Sequence, residues 1–304
     1  MPGLFPFLTP LRVLLACAYR AGFCVLRFTR YRPRTPLKKS RLVVVGSHLA
    51  GGAGKTPLVQ KMAEELLLQG KSVAILCHSA AWDEFRMLQS KVRGAAVLKT
   101  SDRFRTAKDL DGKFDIILCD GGLEDTRFVD ADVFVLRWNE RAKSLRDLIP
   151  WGSCVSLEED HPEALTVTCS RSGVESSSFA ASFTLDRIVN YRGETLSRGT
   201  FAKIVTGIGN PERLAKDVTD GGISVKQKVF LRDHSKSYAK RLRQELSEKL
   251  PIVLTEKDLF RLEDREKENP LLYVAKERVQ INSTFENYLK ALAGGAARNP
   301  PSTL

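Results

Sequence analysis

Apolar residues along this chain fall into two kinds of run. Short, continuous, β-rich runs occur at 42–45, 72–77, 114–119 and 132–136. They have strand length and no polar alternation, the pattern of strands covered on both faces. Between them, 57–69 and 103–110 carry apolar positions at helical spacing. This alternation predicts an α/β fold, a parallel sheet with helices on both faces. From about 150 to 199 the pattern loosens into Ser- and Glu-rich sequence with a turn at Tyr191-Arg192-Gly193-Glu194. Strands resume at 203–208, 251–254 and 271–274, with helices near 211–218 and 237–249, and residues 293–304 read as a frayed tail. The expected organisation is an N-terminal helix over 1–34, an α/β domain over 35–150, hinge or linker strands over 151–200, and a smaller α/β domain over 201–304.

Residues 4–28 are apolar but interrupted by Arg12, Arg20 and Arg27, so no charge-free stretch reaches the ~18 residues of a spanning helix. Thr9-Pro10 is a helix start and Pro33 a stop. At helical spacing Arg12, Arg20, Arg27 and Arg30 share an arc of about 80°, which predicts a helix lying at an anionic membrane surface with its arginines among head groups. A helix packed on the rest of the protein is the competing reading. A signal peptide is disfavoured, because Arg12 breaks the apolar region and no basic residue precedes it.

Charge sharpens this picture. The net charge is +12, yet no acidic residue precedes Glu64, and the first 63 residues carry eleven Lys or Arg. The remainder is nearly neutral, which argues against a nucleic-acid surface spread over the fold. Six cysteines, none in a C-x-x-C spacing, and four histidines disfavour a zinc site or disulfide framework. Cys77 and Cys119 each close an apolar run and are expected to be buried.

The chemistry sits where the first strand ends. Gly46-Ser-His-Leu-Ala-Gly-Gly-Ala-Gly-Lys-Thr56 lies between that strand and a helix, the context of a phosphate-binding P-loop. The cradle runs through Leu49, Ala50, Gly51, Gly52, Ala53, Gly54, Lys55 and Thr56. The glycines admit phosphate to backbone N–H groups, Lys55 neutralises it, and the Thr56 hydroxyl suits Mg²⁺. Leu49 stands where the strict pattern has glycine. Asp120 closes a buried strand and is the second candidate metal ligand. ATP and Mg²⁺ are the implied cofactors.

On these residues the chain resembles the tetraacyldisaccharide 4′-kinases of lipid A biosynthesis. Gly51 to Pro57 reproduces that family's Gly-Gly-x-Gly-Lys-Thr-Pro loop. Thr206-Gly-Ile-Gly-Asn-Pro-Glu-Arg213, Asp233-His234 and Leu254-Thr-Glu-Lys-Asp258 resemble three later signatures, in order. The resemblance extends from the N-terminal helix to about Leu262. It implies transfer of the ATP γ-phosphate to the 4′-hydroxyl of a lipid A disaccharide precursor, at the cytoplasmic face of the inner membrane. It also implies that Asp83, paired with His234, activates the acceptor hydroxyl and that Arg103 lies near the phosphates. The chain departs from the family at two places. Asp-Asp-Gly-Leu/Phe-Gln-His becomes Asp120-Gly121-Gly122-Leu123-Glu124-Asp125, which leaves Glu124 and Asp125 as candidates for the missing carboxylate. Ser-Arg-Gly-Tyr-Gly is reduced to His78-Ser79-Ala80-Ala81. Two alternatives stand beside the kinase: a membrane-associated P-loop ATPase switch, which would normally carry lysine at Ala50, and a homologue with reduced or lost catalysis.

Overall fold

The computed structural model describes residues 9–29, 36–140, 142–174, 178–233, 235 and 237–295. Helix α1 (Thr9–Thr29) precedes strand β1 (Arg41–Ser47), helix α2 (Lys55–Leu68), β2 (Val73–His78), α3 (Trp82–Lys91) and β3 (Ala96–Thr100). The first half continues through α4 (Arg103–Asp109), β4 (Ile116–Asp120), β5 (Asp132–Arg137), β6 (Leu165–Ser170) and β7 (Ala180–Val189). The second contains β8 (Phe201–Thr206), α5 (Pro211–Asp220), β9 (Ser224–Phe230) and α6 (Tyr238–Glu245). It ends with β10 (Ile252–Thr255), α7 (Glu256–Leu259), α8 (Asp264–Lys267), β11 (Leu272–Ile281) and α9 (Ser283–Ala293).

All these strands join one eleven-stranded sheet in the order β3-β2-β4-β1-β5-β6-β7-β11-β10-β8-β9. Among the described residues, β7 with β11 is its antiparallel pair and every other ladder is parallel. Strand β1 shows why its run is continuously apolar. Val43 and Val45 enter the core beneath α2, whereas Leu42 and Val44 enter the core that contains Ala107 of α4. The second half repeats the arrangement, with Leu214, Ala215 and Val218 of α5 on one face and Tyr238 and Leu242 of α6 on the other.

The loosened region holds two strands, β6 and β7. Two features differ from the sequence reading. Strand β9 is mostly polar because it is a sheet edge, with Lys226, Gln227 and Lys228 exposed. Ala293 is no frayed tail: α9 returns to the first half, where Phe285, Leu289, Leu292 and Ala293 are buried with Phe134 and Phe179.

The predicted N-terminal helix is present, but two arginines of its basic arc, Arg20 and Arg27, face the protein, while Arg12 is exposed. Arg20 donates through Nη1 to both carboxylate oxygens of Asp160, at 2.7 and 2.6 Å, and through Nη2 to Glu159 at 3.0 Å. Arg27 donates to the Asp160 carbonyl at 3.0 Å, and the Tyr19 hydroxyl to the Val155 carbonyl at 2.8 Å. Arg20 and Arg27 are therefore neutralised by the acidic turn at Glu158–Asp160 rather than directed at head groups. Arg30 lies outside the described residues. The face left outward is apolar, with Leu11, Leu14, Leu15, Val25, Leu26 and Phe28 exposed. Among the described residues no helix is long and apolar enough to cross a membrane.

Candidate active site

Strand β1 ends in the glycine loop, and α2 starts at Lys55 immediately after it. Gly54, the residue before α2, has φ +86° and no side-chain cap. A Cβ there would lie 2.8 Å from the Phe183 ring, so glycine is required both by conformation and by space. The first N–H groups of α2 thus have no side-chain acceptor of their own, which leaves them for an anion.

Behind the loop, the Thr56 hydroxyl donates to Asp120 Oδ2 at 2.7 Å. This pair was expected from spacing, and β1 and β4 bring it together as adjacent strands. Burial, with the nearby charge of Glu84, pushes the Asp120 carboxyl up to about 6, against the opposing pull of Thr56, Lys55 and Arg103. Arg103 Nη1 donates to the Asp120 carbonyl at 2.9 Å and Nη2 reaches Glu124 Oε1 at 3.2 Å. Asp125 points elsewhere, because Arg127 holds it at 2.8 and 2.7 Å and also binds Asp102.

These groups open onto a cavity of about 650 Å³ between the two halves of the sheet. Leu49 through Thr56, Arg103, Asp120 and Glu124 all line it, as does Glu84. Lys55 lines it too and forms no ion pair with any described residue. The opposite wall includes Gly209, Asn210 and Arg213 from the β8–α5 junction, Lys257, and Glu277 of β11.

Asp83 lies in the first turn of α3. It is fully buried, and Arg261 donates to its Oδ2 through Nε at 2.9 Å and Nη2 at 2.6 Å. The neighbouring Glu84 reaches the cavity instead, where Lys257 Nζ donates to it at 2.9 Å and to Asp233 at 3.0 Å. Although burial opposes it, Glu84, Asp83 and Asp233 raise the Lys257 pKa, so this lysine stays a cation. His234, the other expected acceptor residue, lies outside the described residues.

Two of the later signatures prove to be one structural unit. Asp258, fully buried, accepts from the Thr206 hydroxyl at 2.6 Å, the Thr255 hydroxyl at 2.7 Å, the Gly207 N–H at 3.0 Å and Arg261 Nη1 at 3.1 Å. This ties the ends of β8 and β10 together and sets the loop that meets the P-loop. The approach is close: a Cβ on Gly209 would lie 2.6 Å from the Gly52 nitrogen.

Sequence reasoning did not identify Arg261, Lys257, Arg171 or Trp138. The Trp138 indole N–H donates to the Ala53 carbonyl at 3.0 Å, and Arg213 Nη1 to the Gly52 carbonyl at 3.1 Å. The guanidiniums of Arg171 and Arg213 each lie 5.3 Å from the centroid of the indole ring. A lone tryptophan after a strand carries no signal for this role. Arg213, inside a recognised signature, was within reach of sequence reasoning.

A loop that can grip a polyphosphate, with a hydroxyl and a carboxylate placed for a cation beside it, puts the chain in the class of P-loop nucleotide-dependent transferases. Residues 77–293 match the family model described as tetraacyldisaccharide-1-P 4′-kinase. The chain is 26% identical to the tetraacyldisaccharide 4′-kinase of Tolumonas auensis over 86% of this chain and 83% of that protein. It is 24% identical to that of Chlamydia pneumoniae over 89% and 86%. The solved structure of LpxK from Aquifex aeolicus in complex with ATP superimposes with a TM-score of 0.64, at 20% identity, covering 95% of this chain and 98% of that one. This protein belongs to the tetraacyldisaccharide-1-P 4′-kinase family, and is an ATP-dependent kinase of lipid A synthesis.

Proposed function

We propose that the chain transfers the γ-phosphate of ATP to the 4′-hydroxyl of a tetraacyldisaccharide 1-phosphate, working as a peripheral protein at the cytoplasmic face of the inner membrane. The observation that carries this reading is the Thr56–Asp120 pair at 2.7 Å beneath the glycine loop. The donor set fits a nucleotide with Mg²⁺: uncapped N–H groups at the start of α2 and a glycine whose missing Cβ leaves room. Thr56 and Asp120 would hold the cation, and Leu49 to Thr56 with Arg103 the phosphates. Mg²⁺, when bound, neutralises charge on the transferring phosphoryl group.

The chain's own groups divide the remaining work. Lys55 and Arg103 supply positive charge where negative charge gathers on the phosphoryl oxygens. Glu84, on the cavity wall, is the carboxylate able to accept the proton of an acceptor hydroxyl, while Asp83 acts from behind by fixing Arg261 and the second half. Carboxylates suit this task, because phosphoryl transfer asks more of positioning than of a strong base. The division of the chain at 35–150, 151–200 and 201–304 is retained as part of this reading, with the cavity between the flanking units.

The outward apolar face of α1 supports membrane association, with Leu14 65% and Phe28 71% exposed. The test is a reaction with purified protein, Mg·ATP and the tetraacyldisaccharide 1-phosphate in detergent micelles. A 4′-phosphorylated product is the expected outcome. Intact ATP binding without product would sink the proposal and leave a nucleotide-binding homologue.

A further inference from the structure

The P-loop does not hold its shape alone. Two consecutive carbonyls, those of Gly52 and Ala53, are tied to side chains from different parts of the molecule: Arg213 on α5 and Trp138 just after β5. In a planar trans peptide the C=O and the following N–H point in opposite directions. Fixing the Gly52 carbonyl therefore fixes the Ala53 N–H, and fixing the Ala53 carbonyl fixes the Gly54 N–H.

We propose that Trp138 and Arg213 are positioning residues for the phosphate-binding loop, holding its carbonyls outward so that the Ala53 and Gly54 N–H groups face the nucleotide phosphates. The inference rests on the reading of this loop as the ATP site.

The clamp is rigidly seated. The Trp138 ring has the guanidiniums of Arg171 and Arg213 each 5.3 Å from its centroid and lies 5.3 Å from Phe183, the ring that fills the space beside Gly54. Arg171 is in turn fixed by Glu277 at 2.9 Å and Asp217 at 3.3 Å. Two cation–π contacts and a directional N–H bond at the edge restrict the orientation of the indole. Because Trp138 belongs to the first half and Arg213 to the second, the loop takes its shape only when the two halves meet.

Full-length protein carrying Trp138→Phe, Arg213→Met or Arg213→Lys tests this. Trp138→Phe keeps an aromatic ring beside the guanidiniums and removes the indole N–H. Equilibrium binding of a fluorescent ATP analogue with Mg²⁺ is read separately from steady-state turnover. Trp138→Phe and Arg213→Met should each weaken nucleotide binding and raise KM for ATP by about three- to tenfold, the range of one hydrogen bond. The acceptor KM and the thermal midpoint should stay near the parent's, and Arg213→Lys should recover part of the loss. Unchanged nucleotide binding in Trp138→Phe would overturn the proposal, as would a rise in both KM values accompanied by a lower midpoint. A parent protein that binds no ATP would overturn the reading of the loop and this inference with it.

Discussion

Arg261 closes on Asp83 through two nitrogens, at 2.9 and 2.6 Å, joining residues 178 apart in sequence. Both are almost fully buried, and Arg261 also serves Asp258 at 3.1 Å. Substituting Arg261→Ala removes a guanidinium shared by two buried carboxylates, and unfolding in urea should show a loss of about 3–5 kcal/mol. Arg261→Lys should lose less. Asp83→Asn should lower stability by about 1–3 kcal/mol as well as turnover. A fall in kcat with unchanged stability would instead place Asp83 at the acceptor alone.

The carboxylates around the metal loop should separate cleanly. Asp120→Asn and Thr56→Ala are expected to reduce kcat by roughly 10²–10³-fold, the cost typical of losing an electrostatic group at the reacting centre. Thr56→Ser keeps the hydroxyl and should stay close to the parent. Asp125→Asn should leave the Mg²⁺ dependence of turnover unchanged, since Arg127 already engages that carboxylate. A shifted Mg²⁺ requirement in Asp125→Asn would show that it reaches the cation.

Membrane binding should depend on the leucines and phenylalanine of α1 rather than on its docked arginines. Replacing Leu14 and Phe28 together by serine removes two large exposed apolar groups and should weaken binding to anionic vesicles by about tenfold or more in a sedimentation assay. Arg20→Gln should have a smaller effect on vesicle binding, because its guanidinium is already paired with Asp160. The reverse ranking would restore the arginines to the head groups.

Stability should fall on acidification through His161. Burial, with the charge of Arg27 and its neighbour His48, lowers its pKa from 6.5 to about 4, and its Nε2 is buried without a hydrogen-bond partner. The unfolded chain therefore takes up this proton first. The contribution is complete above pH 6.5 and is lost as pH falls towards about 4, at most about 1.4 kcal/mol per unit. Asp120 acts in the opposite sense between 3.8 and about 6, since its folded pKa is raised. The informative quantity is thus the difference between the parent and His161→Gln, whose loss between about pH 7 and pH 4.5 should be smaller by about 1–2 kcal/mol. Parallel stability curves would count against it.

The legibility of this chain follows its burial. Strands covered on both faces, such as β1 and β4, announce themselves by unbroken apolar runs, and the P-loop by its glycines. Edge strand β9 does not, because Lys226, Gln227 and Lys228 face water there. The arc of arginines on α1 was visible, but amphipathicity does not say which partner neutralises a charge. Asp160 and Glu159, distant in sequence, supplied that answer. At the site, spacing identified Thr56 and Asp120 because strand ends bring them together. Asp83 and Glu84 are adjacent, and which of them faces the cavity depends on Arg261, a residue no local pattern connects to them.

Strand β11 sets a limit on how this chain tolerates changes of length. Ala275, Glu277 and Val279 line the cavity from alternate positions, and the ladder with β7 shifts register between Lys276 and Glu277. One residue lost at the start of this strand would exchange those three for Lys276, Arg278 and Gln280, and one gained would exchange them for Val274, Lys276 and Arg278. Arg171 would keep Asp217 but lose Glu277, and Glu256 would keep Lys91 but lose Lys276. The turn at Tyr191-Arg192-Gly193-Glu194 is exposed throughout and can absorb insertions. The same single-residue insertion would therefore be silent in that turn and would rewrite the cavity wall in β11.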